Sequence, residues 1–166
     1  MRLILLLTML PLACAVVPDE SKCKIDSLEA DFVAADWSGP GVDDSGNLKV
    51  GSYVVAATYI SLSLDDQKQK TFRSLMAGIN GVLGSQPGLV GWRVGSSDSC
   101  VAGRTISVWQ DEASMYKFVA TTAHAAAMSQ ASTITRTKTA TTHWNGDEKS
   151  ASFEAALPYL QKKIQK

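Results

Sequence analysis

Net charge is what this sequence lacks most plainly. Lys and Arg number 16 and are matched by 16 Asp and Glu, and charged residues make up only 19% of the 166 positions. A nearly neutral chain with no basic block has no electrostatic footprint for a nucleic-acid backbone. The cations of the tail, Lys162, Lys163 and Lys166, are too few to make one. Histidine is scarce as well: there are 2, His124 and His143, with no Cys or carboxylate at ligand spacing. The sequence therefore offers no metal centre. It also lacks a phosphate loop, a dinucleotide fingerprint and a Ser-centred nucleophile motif. Nothing in it calls for a cofactor, and no internal repeat is evident. The size suits one globular domain.

What is present begins with residues 1–15. Arg2 precedes a short apolar core, Leu3 to Leu10, which Pro11 ends. Leu12-Ala13-Cys14-Ala15 then supplies small residues. This is the layout of a signal peptide, too short to span a bilayer. It predicts an exported protein: periplasmic, held to a membrane by lipid, or secreted. Two cleavages fit. One follows Ala15. The other precedes Cys14, because Leu12-Ala13-Cys14 resembles the bacterial lipobox, although Pro11 stands where Leu is usual. Lipid on Cys14 would anchor the domain without a spanning helix. In an oxidising compartment Cys23 and Cys100 are then an even pair, read as a disulfide between the N-terminal segment and a hairpin loop. Two unpaired thiols are the alternative.

Residues 16–50 read as a tether and irregular segment, rich in turn formers such as Ser38-Gly39-Pro40-Gly41 and Asp43-Asp44-Ser45-Gly46-Asn47. One short element is expected around Phe32 to Trp37. The folded domain covers 51–146. Tyr53 to Leu62 reads as a strand. Phe72, Leu75, Met76, Ile79, Val82 and Leu83 fall on one helical face, with a start near Ser63-Leu64-Asp65-Asp66. Leu89 to Val94 and Thr105 to Trp109 read as strands around a turn at Gly95 to Asp98. Asp111 caps a second helix with Met115, Phe118 and Val119 inside. Ala123 to Met128 continues it after a break at Thr121-Thr122. Thr135 to Trp144 is a fourth strand. Residues 147–166 form a C-terminal helix from Ser152 to Gln165, which Pro158 bends or splits.

The order is βαββαβ, an α+β, ferredoxin-like plan with two helices on one face of a four-stranded antiparallel sheet. In the first strand Val54, Ala56, Ile60 and Leu62 share one face, and Tyr53, Val55, Ala57 and Tyr59 share the other. Both faces are apolar, yet the helices cover one. A homodimer, sheet against sheet, would bury the second. The alternative cover is the N-terminal segment or the terminal helix.

The stretch from Arg104 to Phe118, continued to His124 and Met128, resembles the dimeric α/β-barrel superfamily and is especially similar to its antibiotic-biosynthesis-monooxygenase-like members. Gly88-Leu89-Val90-Gly91-Trp92 looks like their second strand. The resemblance implies a dimeric α/β barrel with a pocket between sheet and helices for a small apolar or aromatic molecule. Some members oxidise aromatic polyketides with dioxygen and no cofactor. Such a site needs a base, a donor to an oxyanion and an apolar wall. A haem-degrading branch fits poorly, because its axial ligand falls nearer Met128 than His124 and Phe118 stands where it has a Trp.

His124 is the candidate base. It reaches the pocket if the helix breaks at Thr121-Thr122; its other reading is a His bonding at that break. Trp109 shares a strand face with Thr105 and Ser107, a mixture of ring and hydroxyl suited to a pocket wall. A core Trp is the alternative. Tyr59 and Arg93 are candidates for orienting an anionic substrate or for an interface. Trp92 and Trp144 read as packing or dimer contacts, and His143 as a solvated residue at a sheet edge. A non-catalytic carrier, sensor or structural envelope lipoprotein on the same fold is the competing function.

Overall fold

A computed structural model describes residues 17–137 and 139–164. The expected signal peptide and the candidate lipidation site Cys14 lie outside the described residues. Five strands, β1 (Val33–Ala34), β2 (Ser52–Ser61), β3 (Leu89–Ser97), β4 (Ala102–Trp109) and β5 (Ala140–Asp147), form one antiparallel sheet in the order β1-β3-β4-β2-β5. The helices are α1 (Asp66–Leu83), α2 (Glu112–Val119), α3 (Thr122–Ile134) and α4 (Phe153–Ile164). This is the α+β, ferredoxin-like plan, with one strand more than expected. The extra strand is β1, two residues of the N-terminal segment laid against the edge of β3.

Local chemistry accounts for the boundaries. Asp65, rather than Ser63, caps α1, its carboxylate accepting from the Lys68 N–H at 2.9 Å. Asp111 caps α2 through the Ser114 N–H at 2.7 Å. Ala120 ends α2 and Thr121 caps α3, so the break expected at Thr121-Thr122 exists. The expected turn at Gly95 to Asp98 begins later, because β3 continues through Ser97 while Asp31 accepts from the Ser97 and Ser99 hydroxyls and the Ser99 N–H. α4 is one helix despite Pro158.

Register sorts the side chains into rows, since residues directly opposite one another in an antiparallel sheet share a face. On one face lie Val55, Ala57 and Tyr59 of β2 with Arg104, Ile106 and Val108 of β4, Arg93 of β3 and Trp144 of β5. On the other lie Val54, Ala56 and Thr58 with Thr105, Ser107 and Trp109, together with Trp92, Thr141 and His143. Helices α1 and α2 cover the second face, where Leu83, Met115 and Phe118 pack on Val54, Leu89 and Trp109.

The first face is the one a twin subunit was expected to cover. The chain covers it itself. Ile25, Leu28, Phe32, Trp37 and Leu48 of the N-terminal segment and Phe153, Ala156 and Leu160 of α4 pack on it. The fit is close: a Cβ on Gly95 would run into the Phe32 ring, and one on Gly91 would meet the Leu48 side chain. The first face therefore needs no sheet-to-sheet partner to bury it, and its cover is the alternative expected from the sequence, the N-terminal segment and the terminal helix.

Candidate functional site

The four residues expected to build one site are divided between the two faces. Tyr59 and Arg93 lie under the N-terminal segment and α4. Trp109 and His124 lie on the helix side.

Arg93 sits between two rings, its guanidinium carbon 4.6 Å from the centre of Trp37 and 4.9 Å from that of Phe153. This is a cation–π clip joining N-terminal segment, sheet and α4. Burial lowers its pKa, against a smaller opposing pull from Glu154. Tyr59 is buried beneath the Arg104 guanidinium, which lies 4.6 Å from its ring centre. Burial, and then the charge of Glu29, push its phenol pKa up. Its oxygen has no hydrogen-bond partner among the described residues. An open recess of about 480 Å³ passes Tyr59, lined also by Cys23, Lys24, Ile25, Asp26, Thr137 and Ile164.

Arg104 and Glu29 are two residues that sequence reasoning passed over. Arg104 donates to both Glu29 carboxylate oxygens at 3.1 and 3.0 Å and to the carbonyls of Lys24, Ile25 and Ser27, and both side chains of the ion pair are almost wholly buried. The alternation of β4 carried a signal, because it places Arg104 on the same face as Ala102, Ile106 and Val108. A charge there demands a buried partner. Cys23 and Cys100 are bonded, with Cα atoms 5.5 Å apart, as the cysteine count implied. This face holds the protein together.

On the helix side the aromatic residues cluster around Phe118. Trp109 is fully buried, donates its indole N–H to the Ser107 hydroxyl at 2.9 Å, and stacks on Phe118 with ring centres 5.3 Å apart. His124 stands edge-on to Phe118 at 5.0 Å. Its backbone N–H points to the Thr121 cap, and its ring meets the Val119 backbone at the end of α2, as the reading of a His bonding at that break anticipates. The ring nitrogen Nδ1 is buried and has no partner among the described residues. Burial lowers the imidazole pKa, outweighing the opposite effect of its bond to the Val119 backbone. A neutral ring with an unused nitrogen is a proton acceptor.

Next to this aromatic end the sheet becomes polar. Ala56, Thr58, Thr105 and Ser107 are half-buried, Thr141 is exposed, and the Thr58 and Thr141 hydroxyl oxygens lie 3.4 Å apart. The mixture of ring and hydroxyl read from Trp109, Ser107 and Thr105 is thus one continuous surface. His143 is half-buried rather than solvated, with Nε2 3.6 Å from the Glu112 carboxylate and its ring edge-on to Tyr116. Trp92 and Trp144 are packing residues, Trp144 stacking on Tyr159.

The state of His124 has a measurable consequence. With its folded pKa below the ordinary 6.5, the unfolded chain binds the proton more tightly. Stability is therefore full above pH 6.5 and is lost as pH falls below it, toward the lower folded value. Denaturant melts across this range should show the loss in the wild type and a flatter profile in His124→Gln. An unchanged profile would mean that the ring is as well solvated folded as unfolded.

No protein-family model matches the chain, and no curated protein matches it in sequence. Solved structures do. A protein of Fusobacterium nucleatum, provisionally named a monooxygenase, superposes with a TM-score of 0.53 at 11% identity over 70% of this chain. This chain spans 50% of that protein's length. An uncharacterised ferredoxin-fold protein of Listeria monocytogenes, related to antibiotic biosynthesis monooxygenases, gives 0.48 at 18% identity, covering 69% of this chain and 63% of that one. A provisionally named monooxygenase of Lactobacillus acidophilus gives 0.48 at 11% identity, covering 71% and 50%. At 11% identity the likeness to the Fusobacterium protein speaks for the fold alone, and function has to be argued from the site.

Proposed function

We propose that this is an exported monooxygenase-like domain that takes a small, flat aromatic molecule on the helix side of its sheet and oxygenates it with dioxygen and no cofactor. The observation that carries the reading is His124, a neutral imidazole with a buried, unpartnered nitrogen against the Phe118–Trp109 stack. His124 takes the proton of an acidic phenol. The resulting anion, held against apolar rings, is electron-rich enough to reduce dioxygen. For an activated methylene flanked by such rings the balance is simple. Two hydrogens leave the carbon, one oxygen atom forms the new C=O bond, and the other departs as water. Export rests on the pattern of residues 1–15, and Trp109 acts from within the wall, by positioning Phe118.

The test is oxygen uptake with hydroquinone-type compounds. The wild type is expected to consume oxygen, and His124→Gln to lose 10²–10⁴-fold of that rate, the usual worth of a positioned base, about 10² at least. Uptake that is equal in the two proteins removes His124 from the chemistry.

A second reading is a non-catalytic binder on the same surface. It is favoured by the location of Tyr59 and Arg93, which lie on the opposite face of the sheet from Trp109. A ligand that raises the melting temperature without oxygen uptake would select it.

A further inference from the structure

The two edges of the sheet are treated differently by the chain. The outer edge of β3 is closed. The N–H groups of Ala35, Ser38 and Gly41 donate to the carbonyls of Val94, Trp92 and Val90, and the Trp92 N–H donates to Ser38. The outer edge of β5 is open: from Ala140 to Gly146 the strand pairs only with β2 among the described residues. Exposed strand edges are ordinarily blunted by charge, proline or a bulge. Ala140-Thr141-Thr142-His143-Trp144-Asn145-Gly146 has no Lys, Arg, Asp, Glu or Pro, and its register with β2 is unbroken.

A second observation lies at the same place. Tyr116 and Tyr159 are among the exposed large apolar side chains. Tyr116 stands on α2 against His143, and Tyr159 stands on α4 stacked flat on Trp144 with ring centres 4.6 Å apart. His143 and Trp144 are neighbours on β5 that point to opposite faces. An exposed tyrosine therefore flanks the open edge on each side of the sheet. Tyrosine is enriched at protein interfaces because its ring is apolar and its hydroxyl tolerates a wet rim.

We propose that β5 pairs with β5 of a second copy of this chain, antiparallel, about a two-fold axis perpendicular to the sheet. Two five-stranded halves then form one continuous sheet. A two-fold pairing is isologous, so each copy supplies what the other needs. The uncharged strand brings no like charges opposite one another. The pairing satisfies the open backbone groups and lets the tyrosines on each face meet across the axis. It also extends the Thr58–Thr141 surface into the partner, so that each copy's strand closes the open flank of the other's helix-side site. It leaves the face under the N-terminal segment untouched.

The test is the mass of the full-length protein by sedimentation equilibrium, with amide hydrogen exchange read at β5. The wild type is expected to be a dimer with slow exchange along β5. Thr141→Lys with Asn145→Lys, both at exposed positions, is expected to give a monomer with fast exchange at β5 and an unchanged circular dichroism spectrum. Val33→Lys on the opposite edge should remain a dimer. A wild-type monomer overturns the proposal, and slow β5 exchange in that monomer would assign the edge to the chain's own first residues. A dimer with freely exchanging β5 amides also overturns it, whether or not the double variant folds. None of these outcomes depends on oxygen uptake.

Discussion

Glu29→Ala is expected to cost about 3–5 kcal/mol of folding stability, because it leaves the Arg104 guanidinium buried without a counter-charge. The magnitude follows from burial. An exposed ion pair contributes roughly 0–1 kcal/mol, since water screens it and solvates whichever charge remains. Here neither side chain reaches water, and Arg104 also holds the carbonyls of Lys24, Ile25 and Ser27. Losing Glu29 thus loosens the strap of chain that covers Val55, Ala57, Ile106 and Val108. Urea unfolding measures it: the midpoint should fall with little change in slope. Replacing both partners, Glu29→Leu with Arg104→Met, should recover much of the loss, as removing a buried pair is far milder than breaking one. A single-variant effect below about 1 kcal/mol would mean that the pair behaves as a surface pair.

The second large effect is expected from the disulfide. Cys23 and Cys100 are 77 residues apart, and closing a loop of that length removes about 4 kcal/mol of chain entropy from the unfolded state. Cys23→Ser with Cys100→Ser, or reduction by a small thiol, should lower the melting temperature accordingly. The loss should not add simply to that of Glu29→Ala, because Cys23 and Glu29 pin the same stretch. A melting temperature indifferent to reductant would show that the strap holds without its covalent tie.

Why these anchors escaped the sequence while the sheet did not is a matter of periodicity. β2, β3, β4 and helices α1, α2 and α4 left repeating patterns, whereas α3 left none and runs on to Ile134, so that the fourth strand starts at Ala140 rather than at Thr135. Phe72, Ile79, Val82 and Leu83 lie on one helical stripe, and β2 alternates in a stretch rich in β-branched residues. The N-terminal segment has no period. Its hold on the sheet is a series of single clips: Trp37 on Arg93, Phe32 beside Gly95, Leu48 beside Gly91, and Glu29 on Arg104. Each links positions far apart in sequence, and no local pattern names the partner. The expectation of a twin subunit came from this gap. The apolar character of the Val55, Ala57 and Tyr59 face was legible, and its cover is the alternative to a twin subunit, the N-terminal segment with α4.

The candidate site was legible in part for a similar reason. Thr121-Thr122 marked the break that turns His124 inward, and the parity of β4 put Trp109 with Ser107 and Thr105. Parity within one strand cannot say which faces of two strands coincide, because that depends on register. So Tyr59, Arg93 and Trp109 read as one group, although Tyr59 and Arg93 belong to the opposite face from Trp109.

The central claim is a division of labour, with ligand chemistry on the helix side and structural anchoring on the other. Amide and imidazole chemical shifts followed by NMR, during titration with a hydroquinone-type compound under anaerobic conditions, test it most directly. Saturable shifts are predicted at Thr58, Thr105, Ser107 and the His124 ring, with Tyr59, Arg93 and Arg104 unmoved. Shifts centred on Tyr59 and its recess, or none that saturate, would contradict it.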